Sequence, residues 1–146
     1  MTRRSVALWL VVWLAYLAFG VYLAAGLHVY FGDSLSRVQA AQSVLFSRDP
    51  HLAAIGFIFT PLTALVQLPL TALSVWWPQM TTDALSAAIM SSAFMAGAVV
   101  QVSGIARDRA LPRTMAIVVT LVFALNPMIV LYAANGMSEA PYILSL

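Results

Sequence analysis

The chain has 146 residues, 62% of them hydrophobic and 8% charged, with a mean hydropathy of +0.93, which excludes an ordinary soluble globular domain. A net charge of +2 without interleaved aromatic and basic residues excludes nucleic acid as a partner, and the lack of cysteine excludes disulfides, thiolate metal sites and cysteine nucleophiles. What remains is an all-α integral membrane protein. Helices satisfy every backbone group inside lipid, and no long segment shows the period-two alternation of a barrel strand.

The first apolar run follows Arg3 and Arg4 and continues without charge from Val6 to Leu27. It is longer than the core of a cleaved signal, so it reads as a retained transmembrane helix over 6–27, with cleavage after the small residues Ala24-Ala25-Gly26 as the alternative. Asp33 follows in Phe31-Gly32-Asp33-Ser34. Leu35, Val38, Gln42 and Leu45 then recur at spacings of three and four, which predicts an amphipathic surface helix over Ser34–Phe46, with Asp33 as its N-cap. Arg37 lies on that helix, and Arg48 comes just before the turn Asp49-Pro50-His51.

Leu52–Thr82 is uncharged but interrupted by Pro61, Pro69 and Pro78. Proline inside a helix costs about 3 kcal/mol, and the apolar pieces between the prolines are too short to cross a bilayer. Short interfacial helices or a re-entrant hairpin are predicted, with Trp76 and Trp77 at headgroup depth. The outer loop therefore extends over 28–82. The second span is predicted over 84–106, and Ser86, Ala87, Ser91, Ser92, Ala93, Ala96 and Gly97 make it a close-packing helix. A loop over 107–113 carries Arg107, Arg109 and Arg113. The third span covers 114–134, with a kink near Asn126 imposed by Pro127.

Beyond it, Asn135-Gly136-Met137-Ser138-Glu139 places the only glutamate at the end of the apolar run. Ser138, Glu139 and Pro141 read as a helix start, and residues 140–146 as the beginning of a further helix in a longer protein. All seven basic residues are arginine. Cytoplasmic loops collect arginine, so Arg3 and Arg4 put the N-terminus inside. If 52–82 does not cross, Arg107, Arg109 and Arg113 are also cytoplasmic, and Asp33 and Glu139 emerge on the same outer face.

Asp33 is then a candidate general base and Glu139 a second acid of the same cavity. Arg37 and Arg48 suit phosphate recognition, because a guanidinium matches phosphate geometry; the competing reading, which is favoured, is pairing with Asp33 and Asp49 or with lipid headgroups. The two histidines, His28 and His51, have no partner at ligand spacing, so no metal ligands are identified.

A basic start to the first helix, an aspartate just after it, a broken stretch carrying Phe59-Thr60-Pro61-Leu62, and Asn126-Pro127 followed by Gly136-Met137-Ser138-Glu139 together resemble the N-terminal part of GT-C glycosyltransferases. These are multi-pass enzymes that use polyprenyl-phosphate sugars, including the protein mannosyltransferase-like and lipopolysaccharide-sugar transferase-like groups. The resemblance covers nearly the whole chain but only about the first third of such an enzyme. It implies transfer of a sugar from a polyprenyl-phosphate donor to an acceptor hydroxyl at the outer membrane face. Asp33 would be the catalytic base, Glu139 would line the acceptor cavity, and Arg37 or Arg48 would meet the leaving phosphate. Relatives commonly carry Asp-Glu where this chain has Asp33-Ser34, and a divalent metal is left open as a cofactor. Later segments supply much of the donor site, so residues 1–146 alone are expected to be inactive. The competing expectation is a small non-enzymatic three-span subunit for assembly or transport. The absence of lysine and the abundance of alanine fit a GC-rich bacterial source, hence a bacterial inner membrane.

Overall fold

Thr2 caps the first helix by accepting the Ser5 amide at 3.2 Å, and helix α1 runs from Arg3 to Val21 before loosening into a π turn over Tyr22–Gly26. The structure, a computed structural model, describes residues 2–30, 32–56 and 61–146. Phe31 and the Phe59-Thr60 half of the Phe59–Leu62 motif lie outside the described residues. All the regular elements among the described residues are helical. After α1 come α2 (Gly32–Phe46), a 3₁₀ turn (Leu52–Ile55), α3 (Pro61–Ala72, extended by a 3₁₀ turn to Val75) and α4 (Gln79–Thr82). They are followed by α5 (Leu85–Asp108), α6 (Arg113–Ala124), α7 (Pro127–Ala134) and α8 (Glu139–Ser145).

Two helices are long and apolar enough to cross a membrane: Arg3–Gly26 and α5, each of 24 residues. At 1.5 Å per residue each spans about 36 Å, against a hydrocarbon core of about 30 Å. The pair α6 and α7 also passes if taken as one broken span, but it bends by 56°. A kink was expected at Asn126, and the structure has a full break. The residue before a proline is pushed out of the helical region, and Asn126 is extended, with ψ 128°. Its side chain accepts the Met128 amide at 2.9 Å and starts α7, so Pro127 occupies the first helical position, where its missing N–H is harmless.

Helix α5 is the hub. Of its most apolar stretch 61% is buried, against 11% for the first span. Its serines and alanines leave room for neighbours on several sides, as the sequence foretold. A Cβ on Gly20 of α1 would lie 3.3 Å from Ala88 and 3.2 Å from the Ala134 carbonyl, and one on Gly97 would lie 2.9 Å from Leu144 of α8. The core forms where Tyr16, Met95, Val99, Ala124, Ala133 and Ala140 meet. Outward, Leu10, Val11 and Leu14 of α1 and Val118 and Val122 of α6 are exposed. An apolar exterior around a small-residue interior suits a lipid surround.

Two local expectations need correction. The prolines do not all interrupt helix within 52–82, because α3 continues through Pro69 to Ala72. Pro61 sits at its first position, and the helix is held by packing against α2 and α5, with Thr63, Gln67 and Thr71 buried along one face. Even with its 3₁₀ extension to Val75, α3 remains shorter than a span. The second correction concerns Asp33, which is not an N-cap. Helix α2 begins at Gly32, so Asp33 lies inside the first turn, where a carboxylate still favours the positive helix end.

Candidate functional site

Of the predicted site residues, Asp33, Arg37 and Glu139 lie where α2 meets the connection between α7 and α8. The buried face of α2 consists of Ser34, Arg37, Val38, Ala41 and Val44, at the three- and four-residue spacing of a helix stripe. Arg37 is 5% exposed, and its Nη2 donates to the Ser138 hydroxyl at 3.1 Å. Ser138 occupies the N-cap position of α8 but makes no capping bond, so its expected role as a cap gives way to holding Arg37. Glu139 follows it in the first turn of α8, and its Oε2 is buried without a hydrogen-bond partner among the described residues.

The connection itself is shaped by Asn135 and Gly136. Asn135 Oδ1 accepts the Met137 amide at 2.9 Å, a local turn that reverses the chain after α7. Gly136 takes φ +73°, and a Cβ there would stand 2.5 Å from both Ala87 and the Ser34 hydroxyl. Ser91 of α5 ties the turn down, accepting the Gly136 amide at 3.1 Å and donating to the Ala133 carbonyl at 2.8 Å. The close approach of α2 to the Gly136–Glu139 turn thus depends on a residue without a side chain.

Asp33 is exposed one turn before Arg37 on α2, a spacing at which side chains are neighbours. It makes no hydrogen bond or ion pair among the described residues. Asp33, Arg37, Ser138 and Glu139 therefore lie at one end of the bundle, the end reached by the C-termini of α1 and α7. Arg48 is not brought in. It is exposed beyond the C-terminal end of α2, and Asp49 pairs weakly with His51, at 3.7 Å, rather than with Arg48.

One acid at this end was overlooked in the sequence. Asp83 lines a small cavity of about 20 Å³ with Tyr30, Ser34 and Asn135, enough for about one water molecule. Its position immediately before the second apolar span was the available signal. Beside Glu139 lies a larger groove of about 550 Å³ between the start of α3 and α8, lined by Pro61, Leu62, Thr63, Ser138, Pro141 and Tyr142. It is mostly apolar, and Glu139 is among the residues that line it. No group of three His, Asp or Glu side chains among the described residues is placed to hold a metal ion.

The arrangement offers an exposed carboxylate able to take a proton, a buried guanidinium one turn away, a second carboxylate partly withdrawn from solvent, and an apolar groove alongside. Comparison with protein families, characterised proteins and solved structures returns no match for this chain.

Proposed function

We propose that the chain forms the N-terminal membrane portion of a glycosyltransferase of the GT-C type. It would move a sugar from a polyprenyl-phosphate donor to an acceptor hydroxyl at the outer face of a bacterial inner membrane. In this reading α6 and α7 cross together as a third span, and the arginine-bearing end of the bundle faces the cytoplasm. The observation that carries the proposal is the Arg37–Ser138 hydrogen bond, which fastens the helix bearing Asp33 to the turn bearing Glu139.

Asp33 then acts as general base. It removes the proton of the acceptor hydroxyl as that oxygen bonds to the anomeric carbon, while the bond from that carbon to the phosphate oxygen breaks and the lipid phosphate leaves with the electron pair. General-base catalysis of this kind contributes roughly 10²–10⁴-fold. Arg37, one turn further along the same helix, meets developing charge on the phosphate, and a hydrogen-bonded guanidinium loses little freedom in doing so. Glu139 borders the groove in which the apolar donor or its acceptor lies.

The test uses the protein expressed from its entire open reading frame, reconstituted in vesicles with a polyprenyl-phosphate sugar. Asp33→Asn should lower sugar transfer at least 100-fold while expression and membrane insertion stay unchanged. Turnover retained by that variant would remove Asp33 from the chemistry. No transfer by the unaltered protein from any polyprenyl-phosphate sugar would favour a non-enzymatic membrane subunit.

A further inference from the structure

The end of the bundle opposite the acids carries Arg3, Arg4, Arg107, Arg109 and Arg113. A cleft of about 550 Å³ opens there between α1, α5 and α6. Arg4, Arg107 and Arg113, one from each helix, line it, and no acidic residue does. Leu8, Ile117 and Leu121 form part of its wall, and Ile117 and Leu121 are about half exposed, at 49% and 50%. Arg107 Nε donates to the Ser103 carbonyl at 3.1 Å, which holds its stem against α5. Among the described residues none of the three arginines is paired with a carboxylate. Asp108, although next in sequence, is exposed and does not line the cleft.

We propose that this cleft binds one anionic phospholipid. Its phosphate lies among Arg4, Arg107 and Arg113, and an acyl chain lies along Leu8, Ile117 and Leu121. Three arginines lining one cleft repel one another until an anion sits between them, and their planar donors match phosphate oxygens. A soluble phosphate would use only that rim. The apolar wall running from it along α1 and α6 is complementary to a hydrocarbon chain, and basic pockets between membrane helices are a recurrent form of anionic-lipid site. Arg3 and Arg109 lie at the same end but outside the cleft, so charge at this end and charge in this cleft are separable by mutation.

The full chain, purified in a neutral detergent, is titrated with phosphatidylglycerol, phosphatidylcholine and inorganic phosphate, and bound lipid is counted by native mass spectrometry. Phosphatidylglycerol should be retained in preference to phosphatidylcholine. Arg4→Gln/Arg107→Gln/Arg113→Gln should weaken its binding on the order of 100-fold, at about 1 kcal/mol for each charge. Arg3→Gln/Arg109→Gln should leave binding within about twofold of the unaltered chain. Ala116→Trp, which fills the apolar part without touching charge, should also reduce retention and carries the test if the triple variant fails to fold. Equal losses in the cleft and control variants would overturn the proposal in favour of diffuse surface charge. So would equal retention of phosphatidylcholine, unaltered binding by Ala116→Trp, or inorganic phosphate competing at the same concentration as the lipid.

Discussion

Gly136 is the residue on which the acid-bearing end of the molecule most depends. A side chain there meets both a left-handed backbone, which disfavours L-residues by about 1–2 kcal/mol, and two atoms at 2.5 Å. Overpacking typically adds about 1–3 kcal/mol. Gly136→Ala should therefore destabilise the fold by at least about 2 kcal/mol, read as a lower thermal midpoint in detergent, and an unchanged midpoint would contradict the packing described. Asp33 is the opposite case. It is exposed and makes no hydrogen bond or ion pair among the described residues, and it contributes a favourable charge at the start of α2. Asp33→Asn should cost less than about 1 kcal/mol in stability, so that a loss of activity in that variant is chemical in origin. The candidate acids were legible as residues because a carboxylate beside a long apolar run is conspicuous. Ser138 was legible only as a cap, because nothing local announces that an arginine about a hundred positions earlier will use its hydroxyl.

At the scale of elements, the break between α6 and α7 creates a polar requirement that α1 meets. In an unbroken helix the Ala124 carbonyl would receive the Met128 amide, but that amide is turned to Asn126 Oδ1. The Tyr16 hydroxyl donates to the Ala124 carbonyl instead, at 2.7 Å, inside the core. A buried acceptor left unpaired costs about 1–3 kcal/mol, so Tyr16→Phe should lower stability by about that amount. In an Asn126→Leu/Pro127→Ala background, where α6 and α7 are free to join, the same change should cost markedly less. A double-mutant cycle in detergent measures this coupling, and additive effects would show that the break and the tyrosine are unrelated. Pro127 revealed the bend in the sequence. Pro69 misled, because the intrinsic cost of proline was outweighed by the packing of α3 against α2 and α5.

For the whole molecule, the antiparallel passage of α1 and α5 places Asp33 and Glu139 at one end and Arg4, Arg107 and Arg113 at the other. Gly20 meets Ala88 near the acids, while Leu8 and Arg107 line one cleft near the arginines. The chain has no cysteine, so single cysteines can be introduced as position markers without a background signal. In the three-span reading, Asp33→Cys and Glu139→Cys should react with a membrane-impermeant maleimide from one side and Arg109→Cys from the other. Labelling of positions 33 and 139 from opposite sides would sink the shared cavity. Asp33 and Arg109 are exposed, whereas Glu139 is partly buried and should label more slowly.

The sequence alone determined the all-helical class of the molecule and the two helices long and apolar enough to cross a membrane. Hydropathy and charge act locally, and a run of uncharged residues has few ways to satisfy its backbone in lipid. It also determined where the chain bends at Pro127 and which helix offers small residues for packing. Tertiary structure decided what local composition does not encode: that α3 survives Pro69, that Arg37 reaches Ser138 while Arg48 stays apart, that Asp83 joins the acid end, and that three arginines from three helices face one cleft. Those outcomes depend on which surfaces meet, and at Gly20, Gly97 and Gly136 a missing side chain makes room for Ala88, Leu144 and Ser34 from elsewhere in the chain.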